Sequence, residues 1–196
     1  MKRTLIFGFA LMLGADILLA QTMGTEAKSP KEVVEQFLKM ETQGGRITPE
    51  GWRKASTFFV RPSRPSRDIR VFVVYRDYAV WNPVIKGTTA TVMMDIYSEG
   101  RIDSALRYTP PDAHSYKSGI MFKLVLTDKY WELGPHGNAT TEVAGPREWR
   151  IDEASPMLVL NAQSAIRYVN EMRDRTTDPV TKKNARTTLL ALKHLR

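Results

Sequence analysis

The sequence contains no cysteine. Disulfides, thiol nucleophiles, cysteine-bound metals and a lipid anchor through cysteine are therefore all excluded. Histidine is scarce: His114, His136 and His194 lie far apart, and no His-x-His or Glu-x-x-His spacing occurs. Zinc needs several converging ligands, so no metal and no cofactor is expected. None of Ser56, Ser104 or Ser155 stands in a Gly-x-Ser-x-Gly elbow, and neither a phosphate loop nor a dinucleotide fingerprint is present. Long apolar runs are lacking too. The main one, Leu5 to Leu13, is too short to cross a bilayer comfortably.

That run sits in what reads as a leader. Lys2 and Arg3 form a positive start, the apolar stretch follows, and Ala20 precedes a new terminus at Gln21. Asp16 interrupts the stretch, and Leu18 is bulky for its place, so a cut after Ala15 or a retained anchor are the alternatives. The expectation is an exported protein, periplasmic or secreted, with no membrane span once residues 1–20 are removed. Without disulfides it must stand on core burial, and a chain of 196 residues with 42% hydrophobic content can supply one domain's core. The net charge is +8; losing Lys2, Arg3 and Asp16 leaves +7. A basic surplus favours polyanions, of which nucleic acid is the least accessible to an exported chain.

After a lead-in over 21–28, Ser29 and Glu32 have capping-box spacing, with Pro30 at the first helical position. Val33, Val34, Phe37 and Leu38 share a face, and Gly44-Gly45 ends the helix. A second helix starts at Thr48-Pro49, buries Trp52, Ala55 and Phe59, and stops at Pro62. The period then turns strand-like. Ile69–Tyr75 is rich in β-branched and aromatic residues. In Thr88–Tyr97, Ala90, Val92, Met94 and Ile96 oppose Thr91, Met93, Asp95 and Tyr97. In Tyr116–Trp131, Ile120, Phe122, Leu124 and Leu126 share one face, and Glu148–Asp152 forms a last short strand. One apolar and one mixed face predict an antiparallel sheet covered on one side. The spacers hold no crossover helix, which argues against parallel βαβ units. Two long loops, 103–115 and 133–146, separate the strands. Asn161 then caps a helix with Ala162, Ala165, Ile166, Val169 and Met172 on one face. Asp178-Pro179 opens a last helix carrying Leu189, Leu192 and Leu195.

Opening helices (Pro30–Phe59), then strands (Ile69–Trp131), then the closing Glu148-Trp149-Arg150-Ile151-Asp152 run resemble the nuclear transport factor 2-like superfamily. The resemblance implies an α+β fold with a curved, cone-shaped antiparallel sheet around a pocket, over residues 29–155. The two further helices then form an extension, 156–196, packed on that domain. The superfamily includes dehydratases, isomerases and non-enzymatic binding domains, and fold does not choose among them. It also implies a possible homodimer through the outer sheet face.

Three groups of residues are candidate sites. Asp95 and Tyr97, on the mixed strand face, have the chemistry of a general base and an oxyanion donor, with His114 as a further acid–base candidate. The bland alternative is an exposed strand face. Tyr75, Asp77 and Trp81 alternate along the first strand and could grip a polar ligand; core aromatics at a strand end are the alternative. Arg61, Arg64, Arg67 and Arg70 recur every third residue, which aligns them on one edge of an extended three-residue helix suited to polyanions; otherwise they are a solvated linker. With no coherent catalytic constellation, the favoured reading is binding of a small ligand or an envelope component without catalysis. A pocket enzyme using Asp95 and Tyr97 and a polyanion binder are the rivals.

Overall fold

The computed structural model describes residues 27–62, 71–112, 117–134, 139–153 and 158–195. Four helices form: α1 (Pro30–Glu41), α2 (Pro49–Ser56), α3 (Ala162–Arg175) and α4 (Pro179–Lys193). The start signals read from the sequence act as expected. Ser29 and Glu32 close a reciprocal capping box on α1, Thr48 caps α2, Asn161 caps α3 and Asp178 caps α4. These side chains satisfy amide donors that a helix cannot pair internally. The second helix is shorter than expected. Phe59 lies beyond its end and bridges Ile151 instead, and Val60 N–H donates to the Ile151 carbonyl.

The strands are β1 (Val71–Val80), β2 (Val84–Lys86), β3 (Thr89–Asp103), β4 (Tyr108–Thr109), β5 (Lys117–Leu133), β6 (Ala139–Glu153) and β7 (Leu158–Asn161). They form one sheet in the order β6-β5-β3-β1-β7, with β2 and β4 also pairing to β3. Every pairing is antiparallel except β1 with β7, where Phe72, Val73, Val74 and Tyr75 run parallel to Leu158 through Asn161. The expected cone-shaped, all-antiparallel sheet of the nuclear transport factor 2-like type is thereby corrected. The sheet is mixed and open, neither curled nor closed, and its end strands β6 and β7 do not pair with each other among the described residues. The fold remains α+β, with no disulfide.

Two clusters hold it together. Beneath α1 and α2, Val34, Phe37, Leu38, Trp52 and Ala55 meet Val92, Met94, Ile96, Phe122, Leu124 and Ile151. Phe37 is the hub, edge-on to Phe58, Phe59 and Phe122 at 6.0, 5.4 and 5.9 Å. On the opposite face, Phe72, Val74, Ile102, Leu158 and Leu160 pack under Ala165, Val169, Leu189 and Leu192 of α3 and α4. Residues from 158 onward thus supply a strand and half of a core, rather than only a helical cover.

Glu41 and Arg46 add a polar fastening at the end of α1. Glu41 is 1% exposed, and the Arg46 Nε and Nη2 groups donate to its carboxylate at 2.9 and 2.7 Å. A buried carboxylate at a helix C-terminus opposes the helix dipole, so the guanidinium is what makes the position tenable.

Candidate functional site

Strand alternation decides which side chains meet. Inward, Ala90, Val92, Met94 and Ile96 of β3 and Ile120, Phe122 and Leu124 of β5 are buried against α1 and α2. Their neighbours Thr91, Met93, Asp95, Tyr97, Lys117, Gly119, Met121 and Lys123 therefore occupy the outer face, paired as Thr91–Lys123, Met93–Met121, Asp95–Gly119 and Tyr97–Lys117. Val84 of β2 pairs with Thr91, and Trp81 N–H donates to the Met93 carbonyl, which brings both to this face.

Between β1 and β3 the register slips twice, leaving Arg76 on one strand and Glu99 on the other without an opposite residue. Each extra residue reverses the alternation beyond it. Because the reversals occur at the same level on neighbouring strands, the face stays continuous: Tyr97 and Asp77 on one side of the bulge share a face with Phe72, Val74 and Ile102 on the other.

 The outer face is thus one surface with two halves: α3 and α4 cover the β1–β7 half, and the β2–β3–β5 half lies bare among the described residues.

On the bare half, Trp81, Val84, Met93 and Met121 are 57%, 61%, 43% and 46% exposed. Beside them the polar groups engage each other. Asp95 Oδ2 accepts from Trp81 Nε1 at 2.9 Å and pairs with Lys117 Nζ at 3.1 Å, and that ammonium lies 5.9 Å from the centre of the Tyr97 ring. Lys123 Nζ pairs with Glu153 at 2.6 Å. The two ion pairs leave this surface locally neutral on a basic chain.

A cleft of about 460 Å³ opens at the level of the bulges, lined by Tyr75, Arg76, Glu99, Asn161, Gln163 and Leu195. Arg76 Nε and Glu99 Oε1 stand 3.6 Å apart across it. Gly100 makes the bulge possible: its φ is 155°, and a Cβ there would lie 2.5 Å from the Tyr108 ring. The Tyr108 hydroxyl donates to the Glu99 carbonyl at 2.5 Å, and burial pushes its phenol pKa up, with Glu99 adding to the effect.

The structure brings Asp95, Tyr97, Asp77 and Trp81 onto one face, joining residues that the sequence assigned to two separate sites. Asp95 is engaged by a cation and an indole, and it does not line the cleft. Tyr75 does not share the face of Asp77 and Trp81. The bulge at Arg76 turns it toward the α1–α2 core, where its ring lies 5.6 Å from Tyr78. Arg61 is exposed, with its guanidinium 4.8 Å from the Trp131 ring centre. His114, Arg64, Arg67 and Arg70 lie outside the described residues. Lys117 escaped sequence reasoning because only the β3–β5 register sets it beside Asp95. The Met93–Met121 pair escaped because either methionine alone reads as ordinary strand filling.

Among the described residues no group of three or more His, Asp or Glu side chains is placed to hold a metal ion, and no helix is long and apolar enough to cross a membrane. Compared with protein-family models, curated proteins and solved structures, the chain finds no match.

Proposed function

We propose that this is an exported binding protein that works without catalysis, and that the bare half of its outer sheet face is the contact surface. Export rests on the leader pattern of residues 1–20. The contact surface rests on one observation: four large apolar side chains are held in the open beside polar groups already satisfied by one another. Exposed apolar clusters of this kind mark interaction sites, and a carboxylate held by Lys117 and Trp81 serves to shape the surface.

A second copy of the chain fits this surface best. Elsewhere the net charge of +8 makes copies repel, whereas here the ion pairs cancel. β3 and β5 pair over nine positions, and β2 with the end of β1 flanks β3 over the same span; three strand widths of about 4.8 Å by nine residues of about 3.4 Å give roughly 450 Å². That is below the roughly 800 Å² per partner of a standard stable interface, so the association is weak and reversible.

Sedimentation velocity over a concentration series tests this. A dimer should grow with concentration, and Met93→Lys with Met121→Lys should abolish it without unfolding the chain. A strict monomer at every concentration, or a dimer unaffected by the double variant, would overturn the assignment to a second copy.

A further inference from the structure

The cations of the chain are unevenly distributed. From Ala162 to Arg196 there are eight Lys and Arg residues against three Asp and Glu, so this segment holds +5 of the chain's +8. The three carboxylates are occupied locally: Glu171 pairs with Arg175, Asp174 with Arg173, and Asp178 caps α4. Helix α4 itself contains Lys182, Lys183, Arg186 and Lys193 and no carboxylate. All four are exposed, and none has a carboxylate partner among the described residues.

Helical geometry gathers these charges. At 3.6 residues per turn, Lys182, Lys193, Arg186, Leu190 and Lys183 fall within an arc of about 100°. Ala185, Thr188, Leu189 and Leu192 are buried against the fold. The rotation of the helix is fixed by hydrogen bonds. Thr188 Oγ1 donates to the Leu106 carbonyl at 2.7 Å and accepts from Tyr108 N–H at 3.0 Å, and Asn184 Nδ2 donates to the Ala105 carbonyl at 3.0 Å. The cationic arc therefore faces solvent as a rigid surface. Leu190 stands within it at 62% exposure, whereas Val180, 63% exposed, lies about 60° beyond its Lys183 edge.

From this arrangement we infer that the outer face of α4 docks the protein on an anionic lipid bilayer. The fixed cations meet lipid phosphates, each adding to the attraction of a negative surface, and Leu190, among them, enters the interfacial region. Single-stranded nucleic acid would call for aromatic side chains on which bases stack, and α4 has none. Exposed aliphatic side chains gain nothing from a phosphate backbone, but they do gain from a lipid interface. The bare sheet face plays no part in this inference, which stands whether or not that face binds a second copy.

The test is co-sedimentation of the full chain with vesicles of phosphatidylcholine alone, and of phosphatidylcholine mixed with phosphatidylglycerol. It is repeated with Lys182→Gln, Lys183→Gln, Arg186→Gln and Lys193→Gln combined. Both proteins carry residues 1–20, so the difference between them reports on α4. Gln and Lys have similar helix propensity, and a circular dichroism melt checks that the variant folds. If it does not, the single Lys193→Glu variant in the last turn replaces it. The wild type should bind the anionic vesicles, release them as salt rises, and bind at least about tenfold more tightly than the combined variant. Equal binding by the two proteins, equal binding to both kinds of vesicle, or no binding to anionic vesicles would overturn the inference. So would capture by mixed-sequence duplex DNA with the anionic vesicles left unbound.

Discussion

The β1–β7 end of the sheet and its β2–β3–β5 end are built from strands of the same sheet yet obey different rules. At the first end, Phe72-Val73-Val74 and Leu158-Val159-Leu160 are buried without a break, because α1 covers one face and α3 with α4 the other. At the second end burial alternates: Met93 is 43% exposed and Met94 1%. Continuous apolar runs belong to strands buried on both faces and alternating runs to strands buried on one. One sheet here shows both, and the Arg76–Glu99 level is where the cover stops. The comparison teaches that the open half is a property of where the C-terminal helices end, since the strands themselves continue through it.

Substituting Asp at matched positions should separate the two ends most sharply. Val74 is 0% exposed beneath α3 and α4, and Val74→Asp places an unpaired carboxylate there. A loss of more than about 4 kcal/mol is expected in denaturant unfolding. Met93→Asp, on the bare face, should change stability by less than about 1 kcal/mol. Comparable losses at both positions would erase the distinction.

Leu192→Ala asks whether the C-terminal helices are structural members or appendages. Leu192 is 0% exposed, so truncation should cost about 2–5 kcal/mol and appear in the single unfolding transition of the whole domain. A separate early transition confined to residues after 158 would show that this end folds on its own.

Acidification should loosen the covered end by a smaller amount. Burial pushes the Asp103 carboxyl up, but the Arg107 and Ala105 N–H groups and the Arg107 guanidinium outweigh it and hold the pKa below the usual value. At the start of α4, hydrogen bonds from Thr181 and Val180 lower that of Asp178. A group whose folded pKa is depressed stabilises the fold above its unfolded value and loses that contribution as pH falls through the folded one. Stability should therefore begin to decline below about pH 4. Asp103→Asn should flatten that decline, as read from unfolding midpoints across a pH series.

Much of this was legible in the chain itself. Caps at Ser29, Thr48, Asn161 and Asp178 were readable because capping is local chemistry. The alternation of Ala90 through Tyr97 gave the face of each side chain on β3. Three features were not readable. Leu158-Val159-Leu160 is too short and too uniformly apolar to distinguish from a helix lead-in, so β7 and its parallel pairing were missed, and with them the open sheet. The slips at Arg76 and Glu99 carry no turn residue except Gly100, so Tyr75 was grouped with Asp77 and Trp81. Gly145-Pro146 read as a loop, whereas it forms a bulge inside β6 opposite Asp128, and the strand continues from Ala139 to Glu153. On the site, Asp95, Tyr97 and Trp81 were identified from their types, but their union with Lys117 depends on a cross-strand register that no single strand encodes.

Mild peroxide oxidation of the dilute protein, followed by mass spectrometry at each methionine, interrogates the bare face most directly. Met93 and Met94 are chain neighbours on opposite sides of β3, and Met121 lies across from Met93. An open outer face requires rapid oxidation of Met93 and Met121 with Met94 spared until the chain unfolds. Equal rates at Met93 and Met94, or protection of Met93 at concentrations too low for self-association, would contradict it.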